Sequence, residues 1–538
     1  MGTSVLHIKT EVECRVYLFD EEKGIAKPGT YFNLEVRKGE QALLFISTEN
    51  EAVICFVSYI VEEGDCDYRM TLGQSQFINI NAEVTEEELK SGDMDGSKVF
   101  DIQGHLYGVV YSRDGLQLLK CQCDLFNEYH IKDGCKVIRW AAFYGCKSLT
   151  AITLPNGLTH IGTRAFEECE NLTTITLPNS LTHIEYRAFL GCEKLASITL
   201  PTSLTHIGSY AFCGCDNLTS ITLPNGLTHI GDCAFEGCEN LTAITLPNSL
   251  THIGSNAFLG CKKLTSITLP NSLTHIGSCA FYGCENLVSI TLPDSLTHIE
   301  VSTFEGCLSL TAITLPNSLT HIYGSAFSHC ENLTAITLPD SLTYIGVKAF
   351  LGCTNLTAIT LPACLTNIGV WAFSETGIRN VVSHSPLFTF SDGCLIDQKN
   401  HSLLAFLSEK NQVSLPDGLT HILDGALRYC KNLTEITLPN SMTHIGDRGF
   451  CGCENLTKIT LSDSMTHIGY LAFLNCNSLT AITLPASLTH IENSAFGSCK
   501  NLTAIHIPQG MREHFKSLLP SDLHSILEEL EPEDDLPF

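Results

Sequence analysis

Positive charge is scarce in this chain. Its 538 residues carry 31 Lys and Arg against 58 Asp and Glu, a net charge of −27. Neutralising phosphates takes a basic stripe, so no nucleic acid partner is expected, and anionic membrane surfaces are disfavoured for the same reason. Long apolar runs are missing too. The most apolar one, Ala52 to Val61, falls well short of the ~20 residues that cross a bilayer, so no membrane insertion is expected. The segment Met1-Gly2-Thr3-Ser4-Val5-Leu6-His7-Ile8-Lys9 has no basic stretch leading into an apolar one, so no secretory leader is read there. Leu6 stands where a myristoylation signal wants Ser or Thr. Chemistry-bearing motifs are equally sparse: there is no Gly-rich phosphate loop and no nucleophile elbow. Ser, His and Asp are abundant but identical from one segment to the next, whereas an active site needs singular residues held by their surroundings. The expectation is a protein that is not an enzyme and carries no cofactor.

What the chain does have is a repeat. The stretch Leu172 to Cys192 recurs every 23 residues: Cys runs from Cys146 and Cys169 to Cys353 and again from Cys430 to Cys499, with Phe in step from Phe143 to Phe373 and from Phe450 to Phe496. A fixed period of this length means a solenoid whose units bury their apolar sides against one another. Within one unit Leu172, Ile175 and Leu177 point inward, and Thr174 and Thr176 alternate with them on a short strand. Pro178 stops the strand, and Asn179-Ser180 is turn chemistry. Leu181 and Ile184 point inward on a second short extended piece, with His183 outside, and Ala188, Phe189 and Cys192 fit a single helical turn on the core.

The motif Leu-Thr-x-Ile-Thr-Leu-Pro-x-Ser-Leu-Thr-His-Ile-Gly-x-x-Ala-Phe-x-Gly-Cys resembles the BspA-like leucine-rich repeats, the leucine-rich repeat 5 class, from about Tyr129 to Pro508. The resemblance implies a leucine-rich repeat solenoid of short parallel strands and single helical turns. It also implies a binding protein of the kind found in bacteria, often as a surface adhesin; fold alone names no ligand.

The rest of the chain is organised around that array. Residues 1–84 alternate like short strands at Cys14–Phe19, Tyr31–Arg37, Gln41–Ser47, Val53–Val61 and Gln76–Ile80, with turn signals at Asp20–Gly24 and Lys27–Gly29. This reads as a small all-β domain, and Val16 to Gly24 with Pro28-Gly29 and Lys38-Gly39-Glu40 resembles a PEGA-type β-sandwich. Residues 85–128 read as an acidic linker, Thr85 to Lys98, and a β-hairpin, Leu106 to Lys120, turning at Ser112–Gly115. The acidic run lacks the spacing and closing Glu of a calcium loop. The solenoid occupies 129–377 and 413–508. Between them, 378–412 reads as a hairpin insert built on Phe388–Asp397 and Ser402–Leu407; such inserts carry function or merely bend the array. Residues 509–538 read as a helical cap, Gly510–Leu519 and Ser521–Leu530, and an acidic tail.

Three repeated features bear on function. The 26 cysteines mostly occupy one small, apolar repeat position, where free thiols fit; a ladder of neighbouring thiols favours a reducing, cytoplasmic setting, with the cell surface as the alternative. A column of histidines, His160 to His321 and His421 to His490, is either a structural ladder or a metal array, and its crowding predicts that acidification below about pH 6 loosens the stack. Tyr344 and Asn367 replace His in that column. The sequons at Asn171, Asn240 and Asn501 recur with the repeat and read as turn residues. Variation collects two and three residues after the Ile, and just after the Phe: Thr163-Arg164, Tyr186-Arg187, Ser209-Tyr210, Asp232-Cys233, Ser255-Asn256, and later Val347-Lys348, Val370-Trp371 and Asp447-Arg448. Arg, Tyr and Trp are the residue types of binding hot spots. Arg164, Tyr186, Arg187, Tyr210, Lys348 and Trp371 are therefore the candidate contacts, for a protein or glycan ligand. Metal binding or catalysis seated in the N-terminal domain or the insert is the alternative, and self-association through exposed strand edges a further one.

Overall fold

A computed structural model describes residues 127–530 throughout. Ahead of them it describes residues 27, 28, 115 and 116 and twelve strands: β1 Ser4–Thr10, β2 Cys14–Leu18, β3 Glu21–Ala26, β4 Tyr31–Val36, β5 Gly39–Ser47, β6 Val53–Val61, β7 Asp67–Leu72, β8 Ile78–Asn79, β9 Val99–Phe100, β10 Leu106–Tyr107, β11 Val109–Tyr111 and β12 Gln117–Cys121. The chain packs as two compact units, residues 1–227 and 228–538.

In the first unit the N-terminal strands form a three-stranded sheet, β4-β1-β7, and a five-stranded one, β3-β2-β5-β6-β8. The elements described in this region are strands, and they differ from the expected ones in two respects. Residues 21–24, expected as part of a turn, lie in strand β3, which pairs antiparallel with β2 through an irregularity at Val16/Tyr17. Strands β1 and β7 have no counterpart in the alternation pattern; they pair parallel to each other, Leu6 opposite Tyr68. The acidic linker from Thr85 to Lys98 and the turn centre Ser112–Asp114 lie outside the described residues, as does Pro532–Phe538. The hairpin itself is present: Val109 faces Cys121 and Val110 faces Lys120.

The fold that follows is a parallel-strand solenoid with almost no helix. In the coil from Leu172 to Cys192, strand Thr174–Thr176 points Ile175 inward and both Thr outward. The turn after Pro178 closes by the Leu181 amide donating to the Pro178 carbonyl at 3.0 Å, and the Ser180 hydroxyl donates back to the Asn156 carbonyl at 2.7 Å. The short strand His183–Ile184 then buries Ile184. Register is kept residue for residue: Ile175 faces Ile198 and His183 faces His206. The second unit repeats this, with Ile290 facing Ile313 and His421 facing His444.

The segment expected as a single helical turn is finer-grained. Ala188, Leu190 and Cys192 donate to the carbonyls three residues back, Glu185, Arg187 and Phe189. The alternate amides, Arg187, Phe189 and Gly191, donate forward to Ser209, Ala211 and Cys213 of the next coil at 2.8–3.0 Å. A helix would consume both sets internally. Here half the amides close turns and half tie coil to coil, so backbone polarity is satisfied without a helix. The geometry needs left-handed residues at two places per coil, Arg187 (φ 56°) and Gly191 (φ 71°). Glycine takes the second readily. The first is held by side-chain-bearing residues in coil after coil, including Tyr210, Lys348 and Trp371, each costing about 1–2 kcal/mol that the cross-coil bonds offset.

The core is a set of columns. Phe143, Phe166, Phe189 and Phe212 stack in the first unit with centroids 5.0–5.4 Å apart, and Phe235 to Phe373 continue the pattern in the second at 5.4–5.8 Å. All are buried. The repeat cysteines do more than fill space: most donate to a backbone carbonyl one coil back, Cys192 to Phe166 at 3.2 Å, Cys330 to Phe304 at 3.1 Å and Cys453 to Leu427 at 3.1 Å. Burial holds these thiols up, Cys307 and Cys353 to about 12. Cys146 departs from the free-thiol expectation, being disulfide-bonded.

In the second unit the insert joins the array. Its strands Phe388–Ser391, Cys394–Asp397 and Ser402–Phe406 pair antiparallel in sequence order, and the last then pairs parallel with His421–Ile422. At the other end, helix α1 (Arg512–Leu518) packs Phe515 inward. The second expected helix is instead a 3₁₀ segment, Ser521–Ile526, and a strand, Leu527–Leu530, that pairs parallel with Ala504–Pro508. Pro520 ends the helix, and the last coil's strand edge offers Leu527 a ladder to join.

Candidate functional site: cation–aromatic clusters on the turn columns

The left-handed position carries the variable residues, so their side chains stand on one column of turns in each unit. In the first unit, the Arg187 guanidinium lies 4.9 Å from the Tyr186 ring and 5.3 Å from that of Tyr210. The two rings meet edge-on at 5.7 Å. Tyr186 is exposed, and the Arg187 Nε is buried without a hydrogen-bond partner. Arg164 behaves differently: it is buried, its Nε donates to Glu167 Oε2 at 2.6 Å, and its guanidinium covers the Tyr144 ring at 4.9 Å. Its charge is spent inside its own coil, which corrects its placement as a surface contact.

In the second unit, Lys348 and Trp371 are brought together, with the Lys348 Nζ 4.8 Å from the indole. Two further cations converge on the same ring from beyond the insert, Arg428 at 5.6 Å and Arg448 at 5.7 Å. Arg428 also covers Tyr429 (4.4 Å) and Arg448 covers Tyr470 (5.4 Å). Glu375 pairs with Arg428 at 3.0 Å. The indole packs against Gly425, at the left-handed position of the next coil, where a Cβ would come 2.2 Å from Trp371 Nε1. Beside this cluster lies a cavity of about 210 Å³, lined among others by Glu375, Arg379, Glu409, Arg428, Tyr429 and Asn432. Sequence reasoning singled out Lys348 and Trp371 but not Arg428, Tyr429, Tyr470 or Glu375. The insert breaks the count that would have aligned them.

The histidine column stacks within each unit, His160 on His183 at 4.8 Å and His444 on His467 at 4.3 Å. In most of the column Nδ1 meets the preceding Thr hydroxyl, as in Thr182–His183 at 2.8 Å and Thr443–His444 at 2.7 Å. The Thr182 hydroxyl also lies 3.2 Å from the Thr159 carbonyl of the preceding coil. Burial, then the neighbouring imidazoles, lowers His252 and His444 below their ordinary value. Among the described residues no group of three His, Cys, Asp or Glu is placed to hold a metal ion, and no helix is long and apolar enough to cross a membrane. The sequon residues Asn171 and Asn501 donate to the Lys147 and Asn477 carbonyls of the preceding coil.

Stacked short parallel strands with an inward leucine, isoleucine and phenylalanine lattice define a leucine-rich repeat protein. The chain belongs to the BspA type leucine rich repeat family, whose model matches residues 120–242, 205–304, 274–402 and 405–518. Among solved structures, it is similar to a leucine-rich repeat protein from Bacteroides ovatus, 29% identical over 79% of this chain and 98% of the other, with a TM-score of 0.46. It is also similar to a leucine rich cell surface protein from Faecalibacterium prausnitzii, 24% identical over 74% and 86%, with a TM-score of 0.42. The comparison with curated proteins finds no match.

Proposed function

We propose that this chain is a non-enzymatic scaffold that holds a protein or glycan ligand on the turn columns of its coils. The observation that carries this reading is the Tyr186–Arg187–Tyr210 cluster: on a column otherwise occupied by small or polar residues, one guanidinium sits against two partly exposed rings and keeps a donor in reserve. Planar cations beside amphipathic rings supply contact area at low entropic cost, as at binding hot spots. The non-enzymatic reading is supported by the sameness of Ser, His and Asp from coil to coil. The other, free thiols of the core column support a reducing setting, and the disulfide at Cys146 supports the cell-surface alternative.

The test is affinity capture and glycan-array binding by the full chain, wild type against Arg187→Ala and Tyr210→Ala. Both variants are expected to lose a ligand that the wild type retains while melting as it does. Identical binding profiles for all three proteins overturn the reading.

A further inference from the structure

We propose that the Trp371 cluster of the second unit binds an acidic sugar residue, a pyranose bearing a carboxylate. This rests on the scaffold reading and names the ligand class for one of its sites.

The cluster is built of donors. Lys348, Arg428 and Arg448 gather within 5.7 Å of one indole on a chain whose net charge is −27. Glu375 answers Arg428. Among the described residues, no carboxylate forms an ion pair with Lys348 or Arg448. Asp424 feels the Arg448 charge, yet its carboxylate accepts the Asp447 amide at 2.8 Å, and burial raises its pKa. Two N–H groups here, Trp371 Nε1 and Arg428 Nε, are buried with no partner. A buried donor left unpaired costs about 1–3 kcal/mol, and like charges held together add to that cost. A carboxylate is acceptor-only and offsets the like-charge cost of Lys348 and Arg448, the two cations here without an ion-paired acid among the described residues.

The surroundings specify what bears the carboxylate. Tyr429 and Tyr470, each 41% exposed, flank the cations and offer ring faces to an apolar C–H surface. The adjoining cavity differs in kind from the cluster. Its arginines are matched by acids, Arg379 with Glu409 at 3.4 Å and Arg428 with Glu375 at 3.0 Å, so it presents donors and acceptors side by side. That mixture suits hydroxyl groups, which do both. At about 210 Å³ it lies below the roughly 300–1,000 Å³ of sites for drug-sized ligands, which matches a single ring. A cluster in which cations outnumber their acids, beside a mixed, ring-sized cavity, is the complement of a uronate or sialate. A free anion would use only the cluster, and a neutral sugar only the cavity.

The experiment uses the full chain carrying Trp140→Phe, which leaves Trp371 as its remaining tryptophan. Methyl glucuronide, N-acetylneuraminic acid, methyl glucoside and acetate are titrated at low ionic strength and followed by calorimetry and indole fluorescence. At least one acidic sugar is expected to saturate with a change in Trp371 emission, and the glucoside and acetate to bind at least tenfold more weakly. Lys348→Gln and Arg448→Gln, both half-buried surface positions, are expected to weaken the acidic sugar at least tenfold without shifting the melting curve. The proposal is overturned if neither acidic sugar saturates, if acetate matches them, or if the glucoside matches them. Failure here alongside intact Arg187-dependent capture removes this site's ligand class and leaves the scaffold reading standing.

Discussion

The thiol of Cys261 lies 3.2 Å from the carbonyl oxygen of Phe235, so the repeat cysteine is a hydrogen-bond donor between coils as well as a small apolar filler. Burial pushes Cys261 and Cys284 well above the ordinary thiol value, and the thiolate is the reactive form. At pH 8, iodoacetamide is expected to label the exposed Cys364 while Cys261, Cys284 and Cys307 stay unmodified until denaturant is added. Peptide mass mapping reads this out. Labelling of Cys261 as fast as Cys364 would contradict the packed column.

Phe258 stacks between Phe235 and Phe281 at 5.5 and 5.4 Å and is fully buried. Phe258→Ala empties one site of a column whose coil spacing is fixed by cross-coil amide bonds such as Phe258 to Ala280 at 2.8 Å. The expected loss is about 3–5 kcal/mol, measured by denaturant titration. A loss under about 1 kcal/mol would show that the column tolerates a gap.

Acid should weaken the stack. His252, His321, His444 and His467 are lowered from 6.5, first by burial and then by neighbouring imidazoles. The unfolded chain therefore takes up protons before the folded one. Stability is complete above about 6.5 and falls as pH drops through the window below it, down to the folded values. Melting temperature measured from pH 7.5 to 5.5 should decline, and His444→Asn should flatten the slope. Asn367 already occupies this column and pairs with Tyr344 in register. An unchanged melting temperature across that range would rule out the coupling.

Gly425→Ala tests how the indole is seated. The new Cβ would meet Trp371 Nε1 at 2.2 Å, at a backbone φ of 63°. The expected result is a displaced, more solvated indole with red-shifted emission and a loss of about 1–3 kcal/mol. An emission spectrum unchanged from the wild type would mean the ring does not rest there.

Ser302 holds a left-handed φ of 55° without glycine's freedom. Ser302→Gly relieves about 1–2 kcal/mol of backbone strain against about 0.5–1 kcal/mol of added chain entropy. A small rise in melting temperature is expected; a fall would show that the side chain contributes more than the strain.

The period carries most of the fold. Ile175, Phe189 and Cys192 fall in the core because residues repeated at one spacing share one environment, and the strands Thr174–Thr176 and His183–Ile184 follow from alternation against Pro178. Periodicity is silent about direction within a turn. It cannot tell an i→i−4 helix from alternating amides that reach the next coil, because both bury Ala188 and Phe189. It is silent too about whatever interrupts it. Trp371 and Arg428 meet at 5.6 Å only because the insert returns the chain to the same column, a closure that depends on three-dimensional pairing of Ser402–Phe406 with His421–Ile422. Arg164 looks in sequence like Arg187; it differs because Glu167 stands three residues on, where the corresponding residue after Arg187 is Leu190.

The strand Leu527–Leu530 occupies the ladder position beside Ala504–Pro508 and turns Glu528 and Glu529 to solvent. A stack of identical layers otherwise invites its own kind: any open terminal layer is a template for a second molecule to continue the growth. Among the described residues this strand is the edge of its sheet, and two adjacent carboxylates on it make pairing with an equally acidic second chain electrostatically unfavourable.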